Sequence, residues 1–300
     1  MGSCNSKTLT RSGLIKLVDK RNAVKFICDE HREIMDIKVE GTFCARSFAE
    51  NLENSQLEKE ETWFKHNRVI LSEETSSSNY INASYIDGFK RPRAYIVTRT
   101  PDSQKTICNF WKMILEHQTE IIVMLNKSEE NGDGISYWNP EEGSSLQYGK
   151  LTIKTFKIHE NYHPSFQITS LLVTHEDGKM LYVSHFLFKN WQRDDILPSE
   201  RDFLDLLFMA RLYDRSAGTS IALSGYKSPI VVHCSDGLQR SMVFCVVDIS
   251  ISRILKLDKV NLFSIVSKLR QDRYNCLYDP NDYGFCYLAL YCYSTYYMQE

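Results

Sequence analysis

Two residues six positions apart, Cys234 and Arg240, have the types and the spacing for chemistry on phosphate. The run before them, Pro229-Ile230-Val231-Val232-His233, is apolar and strand-like, and Arg240 to Leu257 reads as a helix. That order places Cys234 at the end of a strand and at the mouth of a helix N-terminus. Backbone N–H groups, the helix dipole and a nearby guanidinium would there favour the thiolate, the nucleophilic form of cysteine. The loop Ser235-Asp236-Gly237-Leu238-Gln239 would turn its N–H groups on three phosphate oxygens. Arg240 would clamp two of those oxygens with its fork of donors, and Ser241 is placed to donate to the sulfur and help it leave. A Cys-x5-Arg pattern alone occurs by chance; the strand before it and the helix after it give it weight.

The elements that must carry this loop are legible as an α/β pattern. Residues 26–65 are expected to be helical, with apolar residues three and four apart. Strand-like runs follow at 80–86, 94–97 and 120–125, with a helix over 106–117 between the last two. Alternating strands are expected at 151–158, 168–174 and 180–188, then a helix over 199–215, the buried strand 230–233 and the helix 240–257. Two further helices fit 262–270 and 280–299. Thr75 to Asn79, Asn131 to Gly134 and Asp177-Gly178 read as loops and turns. No repeat or linker divides the chain, so one α/β domain over 26–300 is expected, with a twisted central sheet flanked by helices, after a leader at 1–25.

Bulk composition narrows the partners. The hydrophobic share of 43% and charged share of 25% are those of an ordinary globular chain. A net charge of −2 gives no reason to expect nucleic acid. No apolar run is long enough to span a bilayer, and no charged start followed by an apolar stretch reads as a secretory signal. The nine cysteines are odd in number and irregular in spacing, with no C-x-x-C pair, so free thiols are expected and no metal site. The leader carries Lys7, Arg11, Lys16, Lys20, Arg21 and Lys25 against Asp19 alone. Its start, Met1-Gly2-Ser3-Cys4-Asn5-Ser6, fits the myristoylation pattern, with Gly2 as acyl acceptor and Cys4 as a site for a second chain. A membrane surface reached through that lipid anchor is therefore an expected partner, and the inner face of a membrane the expected location.

With these residues in view, the sequence resembles the tyrosine-specific protein phosphatases with a cysteine nucleophile. The loop His233 to Ser241 matches that family's phosphate cradle. Asn79-Tyr80-Ile81-Asn82-Ala83-Ser84 matches its D-Y-I-N-A-S run, and Lys65-His66-Asn67-Arg68 its K-N-R-Y segment. Tyr95-Ile96-Val97-Thr98 with Pro101, Phe110-Trp111-Lys112-Met113, Ile121 to Leu125, Tyr137-Trp138 and the approach His185-Phe186 to Trp191 follow in order. The resemblance spans roughly residues 40 to 295. It implies a mixed central sheet with helices on both sides, phosphotyrosine proteins as partners, and no cofactor or metal.

Departures from the family are as informative as the matches. In the Trp191-Gln192-Arg193-Asp194-Asp195 segment, Arg193 stands where the resemblance places the general acid, leaving Asp194 to serve only if the loop shifts. Without an acid the phenolate leaves poorly, at a cost of ~10²–10⁴ in rate. Asp236 replaces a small cradle residue; at ~5 Å and an effective dielectric of about 20, a carboxylate costs a phosphate roughly 3 kcal/mol per unit charge. It is expected to repel the anion unless it turns outward or takes up a proton. Gln239 and Met242 replace glycines, Val69 the tyrosine that stacks on substrate, and Tyr278 and Asp282 the glutamines that position water. Asp133 stands where the family often has lysine, with Glu129 or Glu130 left to hold Arg240. This degree of change with Cys234 and Arg240 kept resembles the phosphatase-like proteins of bracoviruses, which would imply action on host immune signalling. Three functions stay open: a phosphatase-like binder with weak or no activity, competing for phosphotyrosine or for phosphatase partners; a working phosphatase using Asp194; and a membrane scaffold that keeps only the fold.

Overall fold

The structure, a computed structural model, describes residues 7–41, 64–72, 80–125, 136–191, 197–216 and 227–298. Its centre is a nine-stranded mixed sheet. In chain order its strands are β2 (Arg68–Ile70), β3 (Tyr80–Gly88), β4 (Arg91–Arg99), β5 (Ile121–Met124), β6 (Ser145–Tyr148), β7 (Leu151–His163), β8 (Phe166–His175), β9 (Met180–Phe188) and β10 (Ile230–Cys234). They lie in the order β2-β3-β4-β10-β5-β9-β8-β7-β6. The middle is parallel, β10 running between β4 and β5, and β5 beside β9; both flanks are antiparallel meanders. A strand covered on both faces needs apolar residues throughout, and every residue of β5 and β10 is buried.

Alternate residues of these strands enter two different cores, as a side-chain period of two requires. Tyr95 and Val97, Ile121 and Val123, and Ile230 and Val232 face one core with Phe203, Phe244 and Phe285. Ile96, Ile122 and Val231 face the other, with Phe110 and Trp111. The helices are α1 (Arg11–Val18), α2 (Ala23–Met35), α3 (Gln104–Glu116), α4 (Glu200–Ser216), α5 (Arg240–Leu257), α6 (Leu262–Asp272) and α7 (Pro280–Cys292), which runs into a π-helical turn at Tyr293–Tyr297. Phe110, Trp111 and Ile114 of α3 are the helical face of the second core, while α4, α5 and α7 cover the first. Helix α3 starts on a capping box in which Ser103 and Thr106 satisfy each other's backbone N–H groups.

Several boundaries differ from the sequence reading. Residues 9–25 are not a leader outside the domain. Strand β1 (Leu9–Thr10) pairs with β11 (Lys259–Val260), Leu14 and Leu17 of α1 are buried in the first core, and residue 25 falls within α2. Amphipathic spacing in so short and basic a helix was masked by its charges. The expected helix over 26–65 ends at Met35, capped by Asp36; residues 42–63 lie outside the described residues. The last helix is α-helical only to Cys292. Of the expected thiols, Cys245, Cys276, Cys286 and Cys292 are buried and free, and Cys28 and Cys108 are half-buried and free. Gly2 and Cys4 lie outside the described residues.

Candidate active site

Strand β10 ends at Cys234 and α5 begins at Arg240, so the cradle spans the gap between a buried strand and a helix N-terminus as the sequence implied. Gly237 is the residue this loop cannot exchange. Its φ is +68°, and a Cβ there would meet the Thr98 carbonyl carbon and oxygen at 2.6 Å. Cradle and β4 are in backbone contact at that point.

Behind the loop, the fully buried Arg273 holds it in place. Its Nε–H donates to the Gly237 carbonyl (2.6 Å), Nη1 to Ser84 Oγ (3.1 Å) and Nη2 to Asn82 Oδ1 (3.0 Å). Leu277 N–H donates to the Leu238 carbonyl (3.0 Å), and the Leu277 carbonyl accepts from His31 Nε2 (2.9 Å), so α2 also braces the loop. A third support runs from β10 into the second core. Thr100 Oγ–H donates to the Cys234 carbonyl (3.1 Å) and so accepts from His233 Nδ1–H (2.8 Å). His233 Nε2 then accepts from the Tyr137 hydroxyl (2.7 Å), whose oxygen accepts from His185 Nε2–H (2.6 Å). That directionality fixes both tautomers. Burial keeps both rings neutral, pushing His185 down to about 3 and His233 well below the usual histidine range.

The side facing the cleft is different. Cys234 is 1% exposed. Its thiol donates to Asp236 Oδ1 (3.2 Å) and lies 3.3 Å from Ser241 Oγ. Burial pushes the thiol up to about 12; the Asp236 carboxylate adds to that, and the Ser241 hydroxyl opposes it. At neutral pH Cys234 is therefore held as the thiol. Asp236 does not turn outward, the alternative left open beside the expected clash with an anion. It folds inward, and its Oδ1 accepts the Leu238 N–H (2.8 Å) and the Gln239 N–H (3.3 Å). Two cradle amides that would hold a phosphate oxygen hold the protein's own carboxylate, in the manner of an Asx turn.

The cleft in front has a volume of about 170 Å³. Arg240 lines it, with Nη1 donating to the Leu125 carbonyl (3.4 Å) and the guanidinium 5.7 Å from the Trp191 ring centre. Asp236, Asp279 and Asp282 lie on its wall, as do Ser235 and Tyr278. Gln239 is 8% exposed, lines the cleft, and neither of its amide atoms has a hydrogen-bond partner among the described residues. Tyr278 and Asp282 thus border the cleft, as their alignment with the water-positioning residues implied. Val69 does not border it; it is fully buried in the second core. Met242 is likewise fully buried, in the first core. Asp194 and Arg193 lie outside the described residues, as do Glu129, Glu130 and Asp133, while Trp191 packs edge-on against Phe203 and tilted against Phe285.

Arg273, Thr100 and the roles of Tyr137 and His185 had no sequence signal as site residues. A buried arginine is read from a sequence as a surface charge, and a tyrosine in an apolar run as packing.

The fold and the cysteine–arginine cradle are those of the tyrosine phosphatases. The family described as "Protein-tyrosine phosphatase" matches residues 56–292, and the chain belongs to that family. It is 32% identical over 298 residues to "Tyrosine phosphatase H2" of Microplitis demolitor bracovirus, covering 97% of this chain and 90% of that protein. "Tyrosine phosphatase-like protein J1" of the same virus is 32% identical over 299 residues, covering 97% of each. Rat "Tyrosine-protein phosphatase non-receptor type 9" is 31% identical over 291 residues, which cover 94% of this chain and 48% of that protein. The chain is therefore a protein tyrosine phosphatase-like protein related to bracoviral phosphatases.

Proposed function

We propose that this chain has weak or no phosphatase activity and acts by binding, occupying phosphotyrosine proteins or the partners of active phosphatases. The observation that carries this reading is Asp236, whose carboxylate takes the Leu238 and Gln239 amides and the Cys234 thiol for itself. Three steps of phosphoryl transfer suffer from it. An incoming phosphate meets a like charge, two of its hydrogen-bond donors are already engaged, and the nucleophile is held as the thiol. The replacement of the aligned general acid by Arg193 adds an independent loss at the leaving-group step. Its relatives include bracoviral proteins, and the setting that goes with this reading is interference with host-cell immune signalling.

The test is hydrolysis of an aryl phosphate between pH 5 and 8, with Cys234→Ser as control. The expected rate is at least ~10²-fold below that of active members of the family, the general-acid contribution alone. A rate within tenfold of those enzymes that disappears in Cys234→Ser would overturn the reading and restore Asp194 as the acid.

A further inference from the structure

The turn joining α1 to α2 lies outside the cleft, and its composition is unlike that of the rest of the chain. From Lys16 to Phe26 it carries Lys16, Lys20, Arg21 and Lys25, all exposed, against Asp19 alone, in a protein of net charge −2. None of these four cations has an ion-pair partner among the described residues. The single acid is engaged: Asp19 accepts from the Tyr291 hydroxyl (2.9 Å). Flanking Lys25 are two apolar side chains turned to solvent, Val24 at 75% and Phe26 at 38% exposure.

The corner is also rigid. Leu14, Leu17, Ala23 and Ile27 bury its inner side. Lys20 N–H closes onto the Leu17 carbonyl (3.2 Å) and Ala23 N–H onto the Lys20 carbonyl (3.0 Å). One turn further along α2, Glu30 accepts from the hydroxyls of Tyr283 (2.5 Å) and Tyr287 (2.6 Å). The cations and the two apolar side chains are therefore presented by a fixed frame and need little ordering on contact.

We propose that this corner is a docking surface for the anionic headgroup layer of a membrane. Lys16, Lys20, Arg21 and Lys25 pair with lipid phosphates and carboxylates, while Val24 and Phe26 reach the boundary with the acyl chains. Charge complementarity identifies the partner as anionic. Apolar side chains protruding from the first turn of α2 on either side of Lys25 suit a deformable headgroup layer better than a second folded surface. The proposal is independent of catalysis and of acylation at Gly2, and it holds whatever the aryl phosphate assay shows.

The experiment is cosedimentation of the full chain carrying Gly2→Ala, so that no acyl chain is attached. The vesicles are phosphatidylcholine alone or an equimolar mixture with phosphatidylserine, at low and high salt. Binding is expected only to the serine-containing vesicles, weakened by salt. Replacing Lys16, Lys20, Arg21 and Lys25 by Glu is expected to weaken it at least tenfold, and Val24→Asp by several-fold. The milder pair Lys20→Gln and Arg21→Gln, checked by circular dichroism, stands in if the fourfold variant misfolds, and is expected to weaken binding several-fold. Absence of binding to acidic vesicles, unchanged binding by these variants, or binding only to an acidic protein in place of vesicles would each overturn the proposal.

Discussion

The two sides of the cradle stand in contrast. On the inner side each of the three Arg273 nitrogens donates to an acceptor, Gly237 sits in backbone contact with Thr98, and two neutral histidines are linked through Tyr137 to the strand that ends at Cys234. On the cleft side the thiol is protonated, Asp236 fills two cradle amides, and the Gln239 amide has no partner among the described residues. The difference is physical. An inner residue is bonded to backbone in a closed core, where an orphaned partner costs the full desolvation of a polar group. A cleft residue faces space, so a new side chain there changes the chemistry and leaves the fold standing. A phosphatase fold can in this way persist around an altered reaction centre.

The largest effect expected from disturbing this contrast is on the inner side. Arg273→Met removes three hydrogen bonds and leaves the Gly237 carbonyl, Ser84 and Asn82 without their partner. A loss of about 3–4 kcal/mol in urea unfolding is expected. A loss below about 1 kcal/mol would show that the cradle stands without its rear support.

On the cleft side Asp236→Ala is expected to leave stability nearly unchanged and to tighten phosphate or vanadate binding by one to two orders of magnitude in calorimetric titration. Asp236→Asn sharpens this. If it matches alanine, charge is the barrier; if only alanine binds, the side chain obstructs the site by its bulk. The same variants report on the thiol. In wild type the alkylation rate of Cys234 should climb with pH through the whole range from 7 toward about 12, because the thiolate fraction has not saturated. In Asp236→Ala the curve should move to lower pH without reaching an ordinary active-site value, since burial is the larger cause and remains.

The smallest effect, counted per ring and per pH unit, belongs to the histidines. Their folded pKa values lie below the ordinary 6.5, with His185 at about 3, so the unfolded chain takes up protons first as the pH falls. Their contribution is complete above pH 6.5 and declines toward pH 3, by about 1.4 kcal/mol per pH unit for each ring. Urea midpoints measured between pH 7 and 5 should fall accordingly, and His185→Gln should show a shallower slope. An unchanged slope would mean that His185 is charged or exposed in solution.

The strand Ile230 to Cys234, the helix from Arg240 and the loop between them were legible because apolar continuity and helical period are local properties. Residues 9–25 were not, since the burial of Leu14 and Leu17 depends on α7, some 270 residues away in the chain. Asp236 shows the limit most clearly. Its presence in the cradle, and the conflict with a phosphate, followed from sequence and Coulomb's law. Whether it would turn out, take up a proton or fold in was settled by which amides the loop left pointing at it. Sequence thus determined the family, the central strands and the identity of the nucleophile and its arginine, because each is written in a short stretch. Tertiary structure decided what holds the cradle from behind and the ionisation of Cys234. Burial and hydrogen-bond partners are contributed by distant segments and exist only once the chain has folded.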